Sequence, residues 1–395
     1  MDDFPAGPAC SEPGRPRLSV VIPVHNGGLG FERCLRRLRD SDRTDFELVV
    51  VDDASTDDSP RIAEQFGARL IRQPRKTGPA HARNAGAVAA TGELIFFLDA
   101  DVAVHRDTIR RALARFDQDP TLDALFGSYD AQPEAPGIVS RFRNLLHHWV
   151  HQRGDFDSNV RPVKTFWTGC GVIRRELFLE LGGFDPKLYA RPAIEDIELG
   201  YRIHRSGRRV VLARDVQATH LKRWTLLSMI RTDVFQRGVP WMLLLWRMKI
   251  DESDLNVSHG QRLCVVATAA ALASTPFVAV VPALGFAPIA ALATIMLVNH
   301  AFYRFLIKQK GVVFAFASVP VHFVYYCCCG ASVAIALGVR AAESGRERRI
   351  EAAGTRVDSA EVAASSRRRQ RRGESIAQSL RKVDESGGRD DDSRE

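Results

Sequence analysis

From Leu18 onward, short apolar runs alternate with amphipathic stretches. Leu18 to Pro23 and Leu48 to Asp52 are apolar runs of strand length, and both predict buried strands. Between them Phe31, Cys34, Leu35 and Leu38 recur at helical spacing. The alternation continues with Leu70 and Ile71, a helix over Ala80 to Ala90 and a strand over Leu94 to Leu98. This strand-helix-strand order predicts a parallel, Rossmann-like α/β sheet.

After Arg262 the pattern changes. Leu263 to Tyr303 holds 41 residues without Asp, Glu, Lys or Arg, interrupted by a Pro/Gly segment from Pro282 to Pro288, and Val312 to Val339 adds 28 more. A membrane helix needs ~20 apolar residues, so residues 263–339 predict two to three transmembrane helices. Arg247, Lys249 and Arg262 precede the first, and Arg304, Lys308 and Lys310 separate the last two. Positive charge stays on the cytosolic face, which predicts a multi-pass protein of the cell inner membrane or plasma membrane with its amino-terminal domain cytoplasmic. Three spans would put the arginine-rich tail, residues 340–395, outside; a re-entrant last stretch would not. Residues 226–262 mix apolar side chains with Arg231, Asp233, Arg237, Trp241 and Trp246. They fit an amphipathic interfacial segment or an ordinary amphipathic core helix.

Composition adds limits. With 45% hydrophobic and 26% charged residues, the chain is neither collagen-like nor wholly disordered. Residues 1–17, with four prolines and no apolar run, read as a disordered leader, and the charged tail reads likewise. Lys and Arg number 55 against 47 Asp and Glu, a net charge of +8, which suits an anionic partner. The 7 cysteines show no CxxC or Cys/His spacing, so neither a disulfide frame nor a zinc site is indicated.

Acidic residues close three segments. Asp52 and Asp53 end the second strand, where open α/β sheets bind ligands. Asp99 and Asp101 follow the strand at Leu98; side chains at i and i+2 point the same way, so the two can converge on one hard cation, Mg²⁺ or Mn²⁺. Glu195 and Asp196 open an amphipathic stretch as first-turn acids, which the helix dipole favours. A carboxylate there is also placed to act as general base toward an acceptor hydroxyl.

In order, the chain carries Val20 to Asn26, Asp52-Asp53, Gly78 to Gly86 with its Ala-Arg-Asn segment, Asp99-Ala-Asp101, Gly182 to Asp185 and Glu195-Asp196. Together these resemble the family 2 glycosyltransferases, inverting enzymes of the GT-A fold, over roughly residues 18–225. The resemblance implies a GT-A Rossmann-like nucleotide-diphospho-sugar transferase domain followed by carboxyl-terminal transmembrane helices. It implies that Asp53 holds the base of a nucleotide sugar, with Pro23 and Asn26 lining that pocket and Arg83 supporting it. Asp101, helped by Asp99, would bind the divalent metal, and Asp196 would be the catalytic base, with Glu195 beside it on the acceptor or phosphate side.

His220 to Trp224 resembles the Gln-x-x-Arg-Trp motif of membrane-embedded processive synthases, with His in place of Gln. Arg223 is then a phosphate contact and Trp224 a stacking surface; the same residues also suit a headgroup anchor. The expectation is a metal-dependent transferase moving a sugar from a nucleotide-diphosphate donor to a lipid-linked or membrane-near acceptor, with no nucleic acid partner. The alternatives are a processive polysaccharide synthase, a non-catalytic membrane scaffold of transferase fold, and a nucleotidyltransferase. The last would show a basic, glycine-rich first loop, which Val24 to Gly28 lacks.

Overall fold

A computed structural model describes residues 16–250 and 259–345. Residues 1–15 of the leader expected over 1–17, and residues 346–395 of the tail expected over 340–395, lie outside the described residues. The chain divides into two compact units, residues 1–334 and 335–395, and the described residues of the second, 335–345, are helical.

Strands β1 (Leu18–Val24), β2 (Glu47–Asp52), β3 (Arg69–Arg72) and β4 (Leu94–Leu98) pair in parallel in the order β3-β2-β1-β4. Helices α1 (Gly28–Arg39), α2 (Ser59–Gln65) and α3 (Pro79–Ala89) make the crossovers. Alternation along each strand sorts the core into two faces. Val20, Ile22 and Val50 pack with Phe31, Cys34, Leu35 and Leu38 of α1; Val21, Val49 and Val51 pack with Ala80, Ala82 and Ala87 of α3.

Past β4 the sheet departs from the all-parallel expectation. A parallel crossover takes about a dozen residues, but only Asp99, Ala100 and Asp101 separate β4 from β5 (Val102–Val104). The chain turns there, with Val102 N donating to the Asp99 carbonyl at 3.0 Å. Strands β6 (Ala124–Tyr129), β7 (Val160–Val163), β8 (Cys170–Arg174) and β9 (Val210–His220) complete a mixed sheet of nine strands. β8 runs antiparallel to β4 and β6, while β9 is parallel to β6 and antiparallel to β5 and β7.

Helices α4 (Thr108–Gln118), α5 (Ile138–Gln152), α6 (Arg175–Glu180) and α7 (Glu195–Arg205) flank this half. Then follow α8 (Leu226–Arg231), a π-helical turn (Thr232–Gly238), α9 (Val239–Met248), α10 (His259–Ser274), α11 (Ala287–Val298) and α12 (His300–Lys310). The segment expected to be interfacial or a core helix turns part of itself inward. Leu244 joins the core under α3, and Met229 joins Phe142, Leu145 and Trp224 against α5, although Leu227 and Phe235 stay exposed.

Among the described residues, one helix is long and apolar enough to cross a bilayer: Val312–Gly345, of 34 residues. It runs past the expected boundary at residue 339. Where two further spans were expected, α10 has 16 residues, and Pro282–Val298 is bent by 76° from His300–Lys310. The bend falls at Asn299, whose side-chain amide donates to the Ile295 carbonyl and to the Tyr326 hydroxyl, both at 2.9 Å.

Candidate active site

A cavity of about 1430 Å³ opens at the carboxyl ends of β1, β2 and β4 and extends past α7 to α8, α9 and α10. The β1/β4 edge is where strand order reverses, the position at which open α/β sheets take ligands. Pro23, Asn26, Asp53, Arg83, Asp99, Asp101, Glu195, Asp196 and Trp224 all line it; Arg223 does not. Arg223 follows the end of β9 in irregular backbone and points to solvent, and Lys222 reaches the cavity instead, its Nζ 4.4 Å from the centre of the Trp224 ring.

At the β1/β2 end the groups are held by short backbone contacts. Asp53 is buried, and its carboxylate accepts from Thr77 N at 2.6 Å, Thr77 Oγ1 at 2.8 Å and Gly78 N at 2.8 Å. A carboxylate has about four acceptor positions, so Asp53 chiefly fixes the loop leading into α3. Gly78 is required there: its φ is +93°, and a Cβ would lie 2.4 Å from the Ala190 carbonyl oxygen. Asn26, at φ +53°, accepts from Thr56 N at 2.8 Å, and His25 Nδ1 donates to the Asp53 carbonyl at 2.9 Å.

Arg83 joins two acidic clusters. Its Nη2 donates to Asp99 Oδ1 at 2.6 Å and its Nη1 to Glu195 Oε1 at 2.7 Å, with the guanidinium buried. Burial opposes the charge, but Asp99, Glu195 and Asp196 outweigh it and hold the group firmly protonated. The other Glu195 oxygen accepts from Ala193 N at 3.0 Å, so Glu195 positions Arg83 and the start of α7. The next residue, Asn84, donates to the Phe184 carbonyl and accepts from Phe184 N, which ties the Ala-Arg-Asn segment to the Gly182-to-Asp185 turn.

Asp101 is partly exposed, and its Oδ2 lies 3.6 Å from His220 Nε2. Burial works against its charge, but His220 and Lys222 prevail and keep the carboxyl below its ordinary range. Asn144 Oδ1 lies 2.7 Å from His220 Nδ1; an amide oxygen only accepts, so Nδ1 donates and the Nε2 edge of the ring faces Asp101. Tyr129 stacks on the imidazole at 4.3 Å. Among the described residues no three His, Cys, Asp or Glu side chains are gathered as a cation cage. The donors nevertheless fit a hard divalent ion that also takes oxygens from a bound diphosphate: Asp101, the Asp99 oxygen not engaged by Arg83, and the His220 imidazole oriented by Asn144.

Asp196 stands at the start of α7. Its Oδ2 accepts from Thr168 N and Oγ1 at 3.2 and 3.3 Å, and its Oδ1 from Ile197 N at 2.8 Å. Burial and the adjacent Glu195 carboxylate push its carboxyl up to about 6, against the pull of Arg83 and Thr168. A carboxylate so placed is a stronger base than an exposed one, yet remains ionised at neutral pH.

Sequence reasoning missed Arg143, Asn144 and Thr168, and read Arg231, Arg237 and Trp241 as an interfacial segment or core helix where they line the cavity. Asn144 and Arg143 left one signal, as buried polar residues on the apolar helix α5. Thr168 left none, because its partner is 28 positions away.

Residues 19–182 match the family model described as Glycosyl transferase family 2. The mixed α/β sheet is GT-A-like. The chain is 30% identical to the validoxylamine A glucosyltransferase of Streptomyces hygroscopicus subsp. jinggangensis, over 58% of this chain and 63% of that protein. It is 28% identical to the pre-mycofactocin glycosyltransferase of Mycobacterium tuberculosis, over 58% of this chain and 47% of that one. The chain thus spans about half to two thirds of the length of these curated relatives. In fold it is similar to the mannosyltransferase PcManGT of Pyrobaculum calidifontis, solved with GDP-Man and Mn²⁺, at 20% identity and a TM-score of 0.50, covering 82% of this chain and 88% of that one.

Proposed function

We propose that this chain is a metal-dependent inverting glycosyltransferase, anchored in a membrane, that moves a sugar from a nucleotide-diphosphate donor to a lipid-linked or membrane-near acceptor. The observation that carries the reading is the bridge made by Arg83. It links residues 112 positions apart and draws the second and third acidic clusters to the cavity that the first also lines. The glycosyltransferase names of the relatives support it, and the long apolar helix supports the anchor.

In this reading Pro23, Asn26 and the loop held by Asp53 receive the nucleoside. Asp101, Asp99 and His220 would hold Mg²⁺ or Mn²⁺, which offsets the charge of the diphosphate when bound. Asp196 accepts the proton of the acceptor hydroxyl as that oxygen bonds to the anomeric carbon. The bond from this carbon to the diphosphate oxygen breaks, and the nucleoside diphosphate leaves with the electron pair. Attack in line inverts the configuration.

The test is a donor panel: membranes containing the full chain, Mg²⁺ or Mn²⁺, and UDP-, GDP- and TDP-sugars, scored by nucleotide release with and without lipid extract. One or more donors turned over by the wild type and not by Asp196→Asn is the expected result. A panel in which no donor exceeds that variant overturns the reading.

A further inference from the structure

The far wall of the cavity holds positive charge that donor chemistry leaves unused. Arg237 stands on the π-helical turn Thr232–Gly238 and lines the cavity, and among the described residues neither an ion pair nor a hydrogen bond engages it. π-Turns of this kind are rare and concentrate at functional sites. Arg231 and Arg262 line the same side, also without a carboxylate partner among the described residues, and Lys222, which acts on Asp101 electrostatically, adds a further cation. The acid on that wall, Asp233, is already bound by Arg143 at 2.6 Å.

Hydrogen-bond donors are in surplus as well. Arg143 Nε, Trp224 Nε1 and Trp241 Nε1 are buried without an acceptor; beside them Asp233 Oδ2 is an unpaired acceptor, and His147 Nδ1 and His151 Nδ1, which can donate or accept, are also unpartnered. Buried polar atoms are nearly always satisfied in a native protein, so this wall is complementary to an anion rich in acceptor oxygens. A phosphate presents three such oxygens and up to two charges, a carboxylate fewer of each. The lining also includes the apolar Val265, Val266 and Val333, which offer a hydrocarbon chain contact and a free phosphate none.

We propose that this wall is the acceptor subsite and takes an amphiphile with a phosphate head, the phosphate seated on Arg237 among Trp224 and Trp241 and the apolar chain lying along Val265, Val266 and Val333. The proposal rests on the transferase reading and narrows its acceptor. Arg237 is a binding residue here, distinct from the Asp101 and His220 side assigned to the donor diphosphate.

The test is equilibrium binding to the full chain in neutral detergent, read by tryptophan fluorescence, with octyl phosphate, octanol and inorganic phosphate as probes. Octyl phosphate is expected to bind at least about tenfold more tightly than either of the others, the scale of one charge-assisted contact. Arg237→Gln should lose about that factor, and Arg237→Lys should recover part of it. If Arg237→Gln does not fold, the ranking of the three probes by the wild type decides. Octanol binding as tightly as octyl phosphate overturns the proposal, and so does inorganic phosphate binding as tightly, which would make the ligand free phosphate. Donor turnover by an enzyme indifferent to octyl phosphate defeats this subsite and leaves the transferase reading standing. Arg237-dependent binding of octyl phosphate with no donor turned over does the reverse.

Discussion

The two walls of the cavity are built on opposite principles. On the sheet side most charged groups already have partners: Asp53 in the loop at Thr77 and Gly78, Asp99 and Glu195 in Arg83, Asp196 in Thr168, with Arg83 Nε and Asp101 as the exceptions. On the helical side Arg237 has no carboxylate, and the Trp224 and Trp241 donors have no acceptor among the described residues. The difference teaches where preorganisation resides. The sheet side spends its interactions before a ligand arrives and holds geometry, which is what a reacting centre needs. The helical side keeps its interactions in reserve, which is what a binding surface needs.

The largest effect expected to sharpen this contrast is at Asp196. Asp196→Asn removes the general base and should lower kcat by about 10²–10⁴, with the affinity for nucleoside diphosphate, measured by titration, unchanged. A loss below about tenfold would move the base elsewhere.

Next comes the cost of removing a buried cation from each wall. Arg83→Met strands two carboxylates, Asp99 and Glu195, and should cost about 3–5 kcal/mol in denaturant unfolding. Arg143→Met strands only Asp233 and should cost less. Equal losses would erase the asymmetry.

Glycines give a smaller version of the same comparison. Gly78→Ala meets a left-handed φ of +93° and a carbonyl oxygen 2.4 Å from the new Cβ, so about 1–3 kcal/mol should be lost, together with affinity for nucleotide. Gly311, between α12 and the long helix, has a φ of +85° but nothing within 4 Å of a Cβ. Its alanine variant should pay for backbone strain alone, about 1 kcal/mol, read by the same unfolding measurement.

The contrast also explains what the sequence made legible. β1 was expected over Leu18 to Pro23 and is found at Leu18–Val24, and α3 over Ala80 to Ala90 is found at Pro79–Ala89, because apolar period is a local property. The acids of the sheet side were legible for the same reason, as each ends a strand or opens a helix. Arg223 was misplaced because side-chain alternation stops with β9 at His220. The bend at Asn299 depends on Tyr326, 27 positions away, and no local pattern announces it. Arg237 was visible only as one polar residue in an amphipathic stretch; its lack of a partner is a tertiary fact.

The smallest effect concerns the stability that Asp196 withholds. Burial and the neighbouring Glu195 push its folded-state carboxyl up to about 6 from an ordinary 3.8. For a raised group the stabilising contribution is complete below the unfolded value and is lost as pH rises through the folded one, so at neutral pH this carboxylate destabilises the fold. Asp196→Asn removes the charge but also replaces one of the two oxygens that accept from Thr168 and Ile197. The shift of about two pKa units, roughly 3 kcal/mol if taken whole, is therefore cut by that lost acceptor and by solvent in the cavity. The stability of the variant minus that of the wild type should be more favourable at pH 7.5 than at pH 4 by on the order of 1 kcal/mol. Denaturant unfolding at the two pH values measures it, and the difference cancels every other titrating group that the substitution leaves alone. A difference that is flat with pH would mean that Asp196 titrates like an exposed carboxylate, and the sheet side would then hold a satisfied acid with no strength as a base.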